Sequence, residues 1–210
     1  MTDSTRQRIL DTAERLFADQ GFHATTLRQI TRDADVNLAA VNYHHGSKDA
    51  LILAVFQRRL DQLNSDRLAR LDDALRESDP PELERVLEAF IYPALLLSQT
   101  KGDGDGGRFM RLLMRAWSEN ATQLHRAIAR QYSHVMRAFD DAVSRSLGTS
   151  PGNLRQQLDF LIGALTYTMA ETHHDSVEDT ARALVCFGCS GLRDSVFAAQ
   201  PQNLPKENVA

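Results

Sequence analysis

Residues 37–51 read NLAAVNYHHGSKDAL. Asn37 has the side chain of a helix cap, and the next residues are small or apolar. Asn42, Tyr43, His44 and His45 then stand in a row, Gly46 breaks the pattern, and Ser47 caps another helix. Two histidines side by side suggest ligands or bases. Asn, Tyr and His together also suggest groups aimed outward at a polar partner. The flanking sequence separates these readings. Ile9, Leu10, Ala13, Leu16 and Phe17 keep the three-and-four rhythm of one helix face, and Gly21 supplies the stop. Thr25 and Thr26 offer a cap for a short helix to about Ala34. ADVN is a turn, and a very short helix then runs to about His44.

Beyond Ser47 a long helix is predicted from Lys48 to about Glu77. The next starts at Pro80–Pro81, with Pro81 in its first turn, and continues to about Leu97. QTKGDGDGGR reads as a loop. Further helices are expected over about 107–117, 119–147, 153–172 and 177–198. Strand signals are nearly absent, so the class is all-α: a three-helix helix-turn-helix unit at 1–47, a helical bundle at 48–200 and a flexible tail at 201–210. Three helices this short make a small core and must lean on the start of the helix at Lys48.

Two short helices joined by a tight turn have the helix-turn-helix layout. On a helical wheel Val36, Ala40 and Val41 turn inward against Leu27, Ile30 and Ala34. Leu38, Ala39, Asn42 and Tyr43 turn outward. Small residues let a helix sink into a major groove, apolar side chains meet thymine methyls, and Asn pairs with adenine edges. Tyr43 and His44 reach phosphates, and Thr25, Thr26 and Lys48 stand at helix N-termini that suit phosphate. The stretch thus reads as a DNA-recognition surface rather than a catalytic one.

The pieces A-E-x-L-F at 13–17, Gly21–Phe22, Thr25–Thr26, L-R-Q-I at 27–30 and N-Y-H-x-G-S-K-x-A-L at 42–51 together resemble the N-terminal domain of the TetR family of bacterial repressors, over roughly residues 6–56. The resemblance implies DNA contacts at Thr26, Arg28, Asn42, Tyr43, His44 and Lys48, with Leu38, Ala39 and Ala40 at base-facing positions. It implies a homodimer on palindromic double-stranded operator DNA and a bundle that senses a small molecule. Two positions depart from the family pattern. Asp35 stands where glycine is usual in the turn, and Asp tolerates a left-handed backbone. His45 stands where an aromatic or apolar group packs, which suits a neutral ring and not a charged one. NLAAVNYH with RFMRLLMRAW further resembles the PsrA-type subgroup, which implies a fatty-acid effector.

The 210 residues carry 42% hydrophobic and 25% charged residues and a net charge of −4. The mildly acidic balance argues against coating nucleic acid by bulk charge, and leaves room for a local reading surface. No apolar run approaches the roughly 18 residues of a membrane span, and no signal-peptide core opens the chain, so a cytoplasmic protein without a membrane partner is expected. CFGC at 186–189 has metal or redox spacing but no second ligand pair. Gly188, Cys189 and Gly191 read instead as small residues admitting a neighbouring helix. GDGDGG fails the calcium-loop pattern, since Met114 falls where the bidentate Glu belongs. His173 and His174, beside Glu171 and Asp175, suit a helix C-terminus. No catalytic, metal or cofactor site is expected.

Two apolar stripes fit a four-helix dimer interface as well as an ordinary core: Leu154, Leu158, Leu161, Ile162, Leu165 and Met169, and Val177, Ala181, Leu184, Val185, Gly188, Leu192 and Val196. Phe90, Tyr92, Leu96, Phe109, Met110, Leu113, Met114 and Trp117 fit an effector chamber or, equally, plain core. Arg108, Arg111 and Arg115 share one helix face, where one of them would hold an effector carboxylate or all would form a solvated stripe. The expected protein is a DNA-binding regulator, by default a repressor, released by a fatty acid or acyl thioester. A sensor of drug-like aromatics controlling efflux or detoxification, or a DNA-binding protein without a ligand, are the alternatives.

Overall fold

The computed structural model describes residues 2–98, 105–119, 121–150, 152, 154–170 and 176–199, without the side chains of 2, 3, 105, 106, 117 and 197–199. The helices are α1 (Thr2–Gln20), α2 (Leu27–Asp33), α3 (Leu38–His45), α4 (Lys48–Glu77), α5 (Leu83–Ser98), α6 (Asp105–Ser118), α7 (Thr122–Gln131), α8 (Ser133–Leu147), α9 (Arg155–Ala170) and α10 (Val177–Ala199). No strand occurs among the described residues. The starts of α2, α3 and α4 are set by side chains. Thr26, Asn37 and Ser47 each accept a backbone N–H three residues on, and Gln29 closes a capping box with Thr26. Asp35 takes up the left-handed turn at φ 52°.

Three expectations fail here. Pro80 and Pro81 precede α5 rather than forming its first turn. The helix expected over 119–147 is two helices, broken at Tyr132. The cause is tertiary: the buried Tyr132 donates its phenol to Asp61 of α4 at 2.7 Å, so the chain turns there to bring the ring down. Burial, then the Asp61 carboxylate, push that phenol's pKa well above the ordinary value. Of the loop expected over 99–108, residues 105–108 instead open α6, while 99–104, the His173–His174 cluster and the 201–210 tail lie outside the described residues.

The buried side chains form two clusters. One joins α1, α2, α3 and the first turns of α4 with Phe109, Leu112 and Ala116 of α6. Val41 and Ile30 are fully buried in or beside it, Val36, Ala40 and Leu27 partly so, matching the inward side of the wheel. The other cluster joins the rest of α4 with α5 and α8–α10. Glu14 of α1, fully buried, pairs with Arg58 and Arg59 of α4, so a charge network binds the first helix to the long one. Such a pair is costly to break, because one uncompensated charge would stay inside.

Candidate nucleic-acid interface and effector bundle

Val41 roots α3 in the first cluster, and the opposite side of the helix is open. Leu38 is 44% and Tyr43 81% exposed, and Ala39 and Asn42 are exposed beside them. Thr26 and Arg28 of α2 are exposed as well. His44 is half-buried and meets Tyr43 edge-on at 5.1 Å, and Ala40 is half-buried against the cluster, so it is less available than its neighbours. The half-buried Lys48 reaches the His23 carbonyl at 3.5 Å. Thr25 is a correction. It is fully buried, and its hydroxyl lies within donating distance of the Gly21 carbonyl (2.8 Å) and the Leu16 carbonyl (3.2 Å). It closes the α1–α2 corner and has nothing left for a phosphate. His45 packs half-buried with Nε2 unpartnered among the described residues. Burial, then Arg6 and His44, hold its pKa below the ordinary histidine value, as a neutral packed ring requires.

Two arginines of the α6 stripe face the end of α1. Arg111 lies 3.6 Å from Asp19, and Arg115 donates to the Asp19 carbonyl at 3.0 Å, both at the end of α1. One turn further, Glu119 accepts the backbone N–H of Phe22 at 3.1 Å and of His23 at 3.2 Å. Gly21, at φ 86°, makes this clasp possible, since a Cβ there would collide with the Glu119 carboxylate. The end of α6 therefore grips the corner that precedes α2, a link no sequence signal marked.

The expected chamber residues are dispersed. Phe109 packs on Phe56 in the first cluster, Met110 is buried in the bundle and Leu113 touches both clusters. Tyr92 donates to Glu178, and Leu96 and Met114 are exposed. The Trp117 side chain lies outside the described residues. Phe90 of that set lines a crevice. This crevice of about 310 Å³, counted with its mouth, lies between α5, α8 and α9 and is walled by Leu87, Phe90, Met136, Phe139, Asp140, Val143, Leu158, Leu161 and Ile162. Beside it Arg67 is buried over the Phe90 ring at 3.8 Å and donates to the Phe90 carbonyl and Asn64. Burial draws its pKa down to about 9.

The proposed interface residues also need correction. Leu161, Leu165, Met169, Leu184, Gly188 and Leu192 are buried within the chain, and Leu158, Ile162 and Val185 are partly so. The outward residues of these helices lie one step round the wheel. Phe160, Tyr167 and Phe187 are 64%, 66% and 60% exposed, with Gly163, Ala183 and Gly191 open among them. The aromatic spacing of seven on α9, with glycine between, was a signal available in the sequence. Gly188 does admit close neighbours, because a Cβ would press on Leu87 and Leu161 at 3.0–3.2 Å, whereas Gly191 faces open space. Cys189 is buried, and burial, then Glu84, raise its thiol to about 11. Among the described residues no three potential ligand side chains gather as a metal site, and no helix is long and apolar enough to cross a membrane.

Two family models match the chain: "Bacterial regulatory proteins, tetR family" over residues 9–55 and "Tetracyclin repressor-like, C-terminal domain" over residues 88–184. The transcriptional repressor NicS of Pseudomonas putida is 34% identical over 91 residues, 43% of this chain and 41% of that one. The regulator TtgR of Pseudomonas putida is 35% identical over 95 residues, 44% and 43% of the two chains. The chain thus spans less than half the length of these curated relatives. A putative transcriptional regulator from Pseudomonas aeruginosa has the same fold over 92% of this chain and 90% of its own, with a TM-score of 0.66 at 14% identity.

Proposed function

The chain belongs to the tetR family of bacterial regulatory proteins, and on that premise we propose that it is a cytoplasmic, homodimeric repressor that binds a palindromic operator and is released by a small apolar effector. The observation that carries the DNA reading is the outward side of α3. Leu38, Ala39, Asn42 and Tyr43 stand free on a helix rooted by Val41, beside exposed Thr26 and Arg28. Leu38 and Ala39 fit thymine methyls, Asn42 an adenine edge, and Arg28 and Tyr43 the phosphates. The exposed aromatic side of α9 and α10 supports pairing with a second copy, and a two-fold protein reads two-fold DNA.

The effector reading rests on the crevice between α5, α8 and α9. The α6 clasp supplies a route to the DNA head, since any shift of α6 pulls on the Gly21–His23 corner that leads into α2. A ligand acts only if it prefers the state whose two α3 helices are wrongly spaced. Arg111 and Arg115 are engaged with Asp19, which argues against either of them as the holder of an acyl carboxylate. The deciding experiment is selection of genomic fragments on the full-length protein. One inverted repeat should emerge, with affinity falling steeply as salt rises. Retention of fragments without sequence preference would overturn the reading.

A further inference from the structure

The wall of the crevice in the bundle is apolar, with a single charged residue along it. Leu87 and Phe90 come from α5, Met136 and Phe139 from α8, Leu158 and Ile162 from α9. Phe90 and Phe139 meet edge-on with centroids 5.0 Å apart, and Met136 beside them is a soft, adaptable group. The polar exception is Asp140. Its Oδ1 is buried with no hydrogen-bond partner among the described residues. Among the described residues its Oδ2 has a loose neighbour, Arg155 Nη1 at 3.9 Å, on a side chain that is 62% exposed. Burial raises the Asp140 pKa, Arg155 lowers it, and Asp141 and Asp159 raise it again. A buried carboxylate oxygen without a donor is costly, and native structures rarely leave one unmet.

We propose that this crevice is an effector site for a small aromatic molecule carrying one protonated amine, with the rings between Phe90, Phe139 and Met136 and the ammonium on Asp140. The proposal rests on the effector-responsive reading given above and names the ligand class. A charge-assisted bond from an ammonium satisfies Asp140 better than a neutral donor does. A carboxylate head would instead place two like charges in an apolar site. The buried Arg67 stacks on Phe90 but does not wall the crevice, and it already donates to the Phe90 carbonyl and Asn64. As it stands the crevice is too small for a ring, since most of its roughly 310 Å³ is open mouth. Inside the mouth there is room for little more than one water. α8 and α9 must part to admit a ligand, and that movement is what an effector would stabilise.

The test uses the full-length protein and three matched probes in calorimetry: 1-naphthylmethylamine, 1-ethylnaphthalene and 1-naphthoate. The amine should bind at least tenfold tighter than the hydrocarbon, and the carboxylate weakest. Asp140→Asn should erase the preference for the amine and leave hydrocarbon binding within about threefold. Met136→Trp, which fills the crevice, should weaken both. Should Asp140→Asn fold poorly, the carbon shift of the Asp140 carboxylate in the wild-type protein must move on adding the amine and not on adding the hydrocarbon. Equal binding of amine and hydrocarbon would mean that Asp140 serves a bound water only, and would overturn the proposal, as would no binding of any probe. Operator binding is measured separately. A protein that binds the amine but no operator keeps the site and loses the regulator reading, and one that binds operator but shows no amine preference does the reverse.

Discussion

α3 and the α9–α10 pair both hold aromatic side chains out in the open, yet their surroundings differ. Tyr43 stands next to Asn42 and His44 on α3, and the exposed Thr26 and Arg28 belong to the preceding cap and helix. Phe160, Tyr167 and Phe187 stand among Gly163, Ala183 and Gly191. An exposed ring beside donors suits a polyanion, and an exposed ring beside bare backbone suits a flat apolar partner. If both are contact surfaces, as proposed above, their neighbours decide what kind of partner each fits.

The sharpest way to break this comparison is to put charge on the second surface. Phe160→Glu with Phe187→Glu should give monomers in sedimentation at micromolar concentration. Operator affinity should fall by the ~10²–10⁴-fold that two-headed binding supplies. A double variant that stays dimeric would mean that the aromatics face solvent in the dimer too. On the first surface, Asn42→Ala should relax preference at one base position by about 1–3 kcal/mol, while Tyr43→Ala weakens all sequences alike. Binding-site selection with each variant reads the difference, and the assignment of α3 fails if both profiles match wild type.

Thr25 and Thr26 sharpen the same contrast at adjacent positions. Thr25→Val removes a buried hydroxyl that reaches two carbonyls, and should cost about 1–2 kcal/mol of stability with operator affinity intact in the folded protein. Thr26→Val removes an exposed cap and should lower both stability, by roughly 1 kcal/mol, and DNA affinity. Thermal unfolding and a DNA titration separate the two. The smallest effect is at His45. Its folded pKa is depressed, so on acidification through the ordinary histidine range the unfolded state takes up the proton first, and stability falls as pH drops. His45→Phe should flatten that part of the pH–stability curve; an unchanged slope would assign it to another group.

The helix-turn-helix was legible because its signals are local. Caps at Thr26, Asn37 and Ser47, the left-handed Asp35 and the buried Val41 follow from residue chemistry within a few positions. The bundle was legible only as periodic apolar stripes. Periodicity says which side of a helix is apolar, and not which of two apolar sides is covered by the same chain. Leu161, Leu165 and Leu192 therefore stood as interface candidates although they are buried within the protomer, while Phe160, Tyr167 and Phe187 face outward.

What the sequence by itself determined is the helical class, the places where the first helices begin and the outward residues of α3, since each depends on contacts a few positions apart. Only the tertiary structure decided the break at Tyr132, the Glu119 clasp on Gly21–His23, and the meeting of Asp140 with Phe90 and Leu158. Those pairings join residues 71, 97 and 96 positions apart in the first two cases. Such contacts are chosen by the packing of whole helices, in which the cost of closing the intervening chain grows only slowly with its length, so proximity in sequence has no power to single them out.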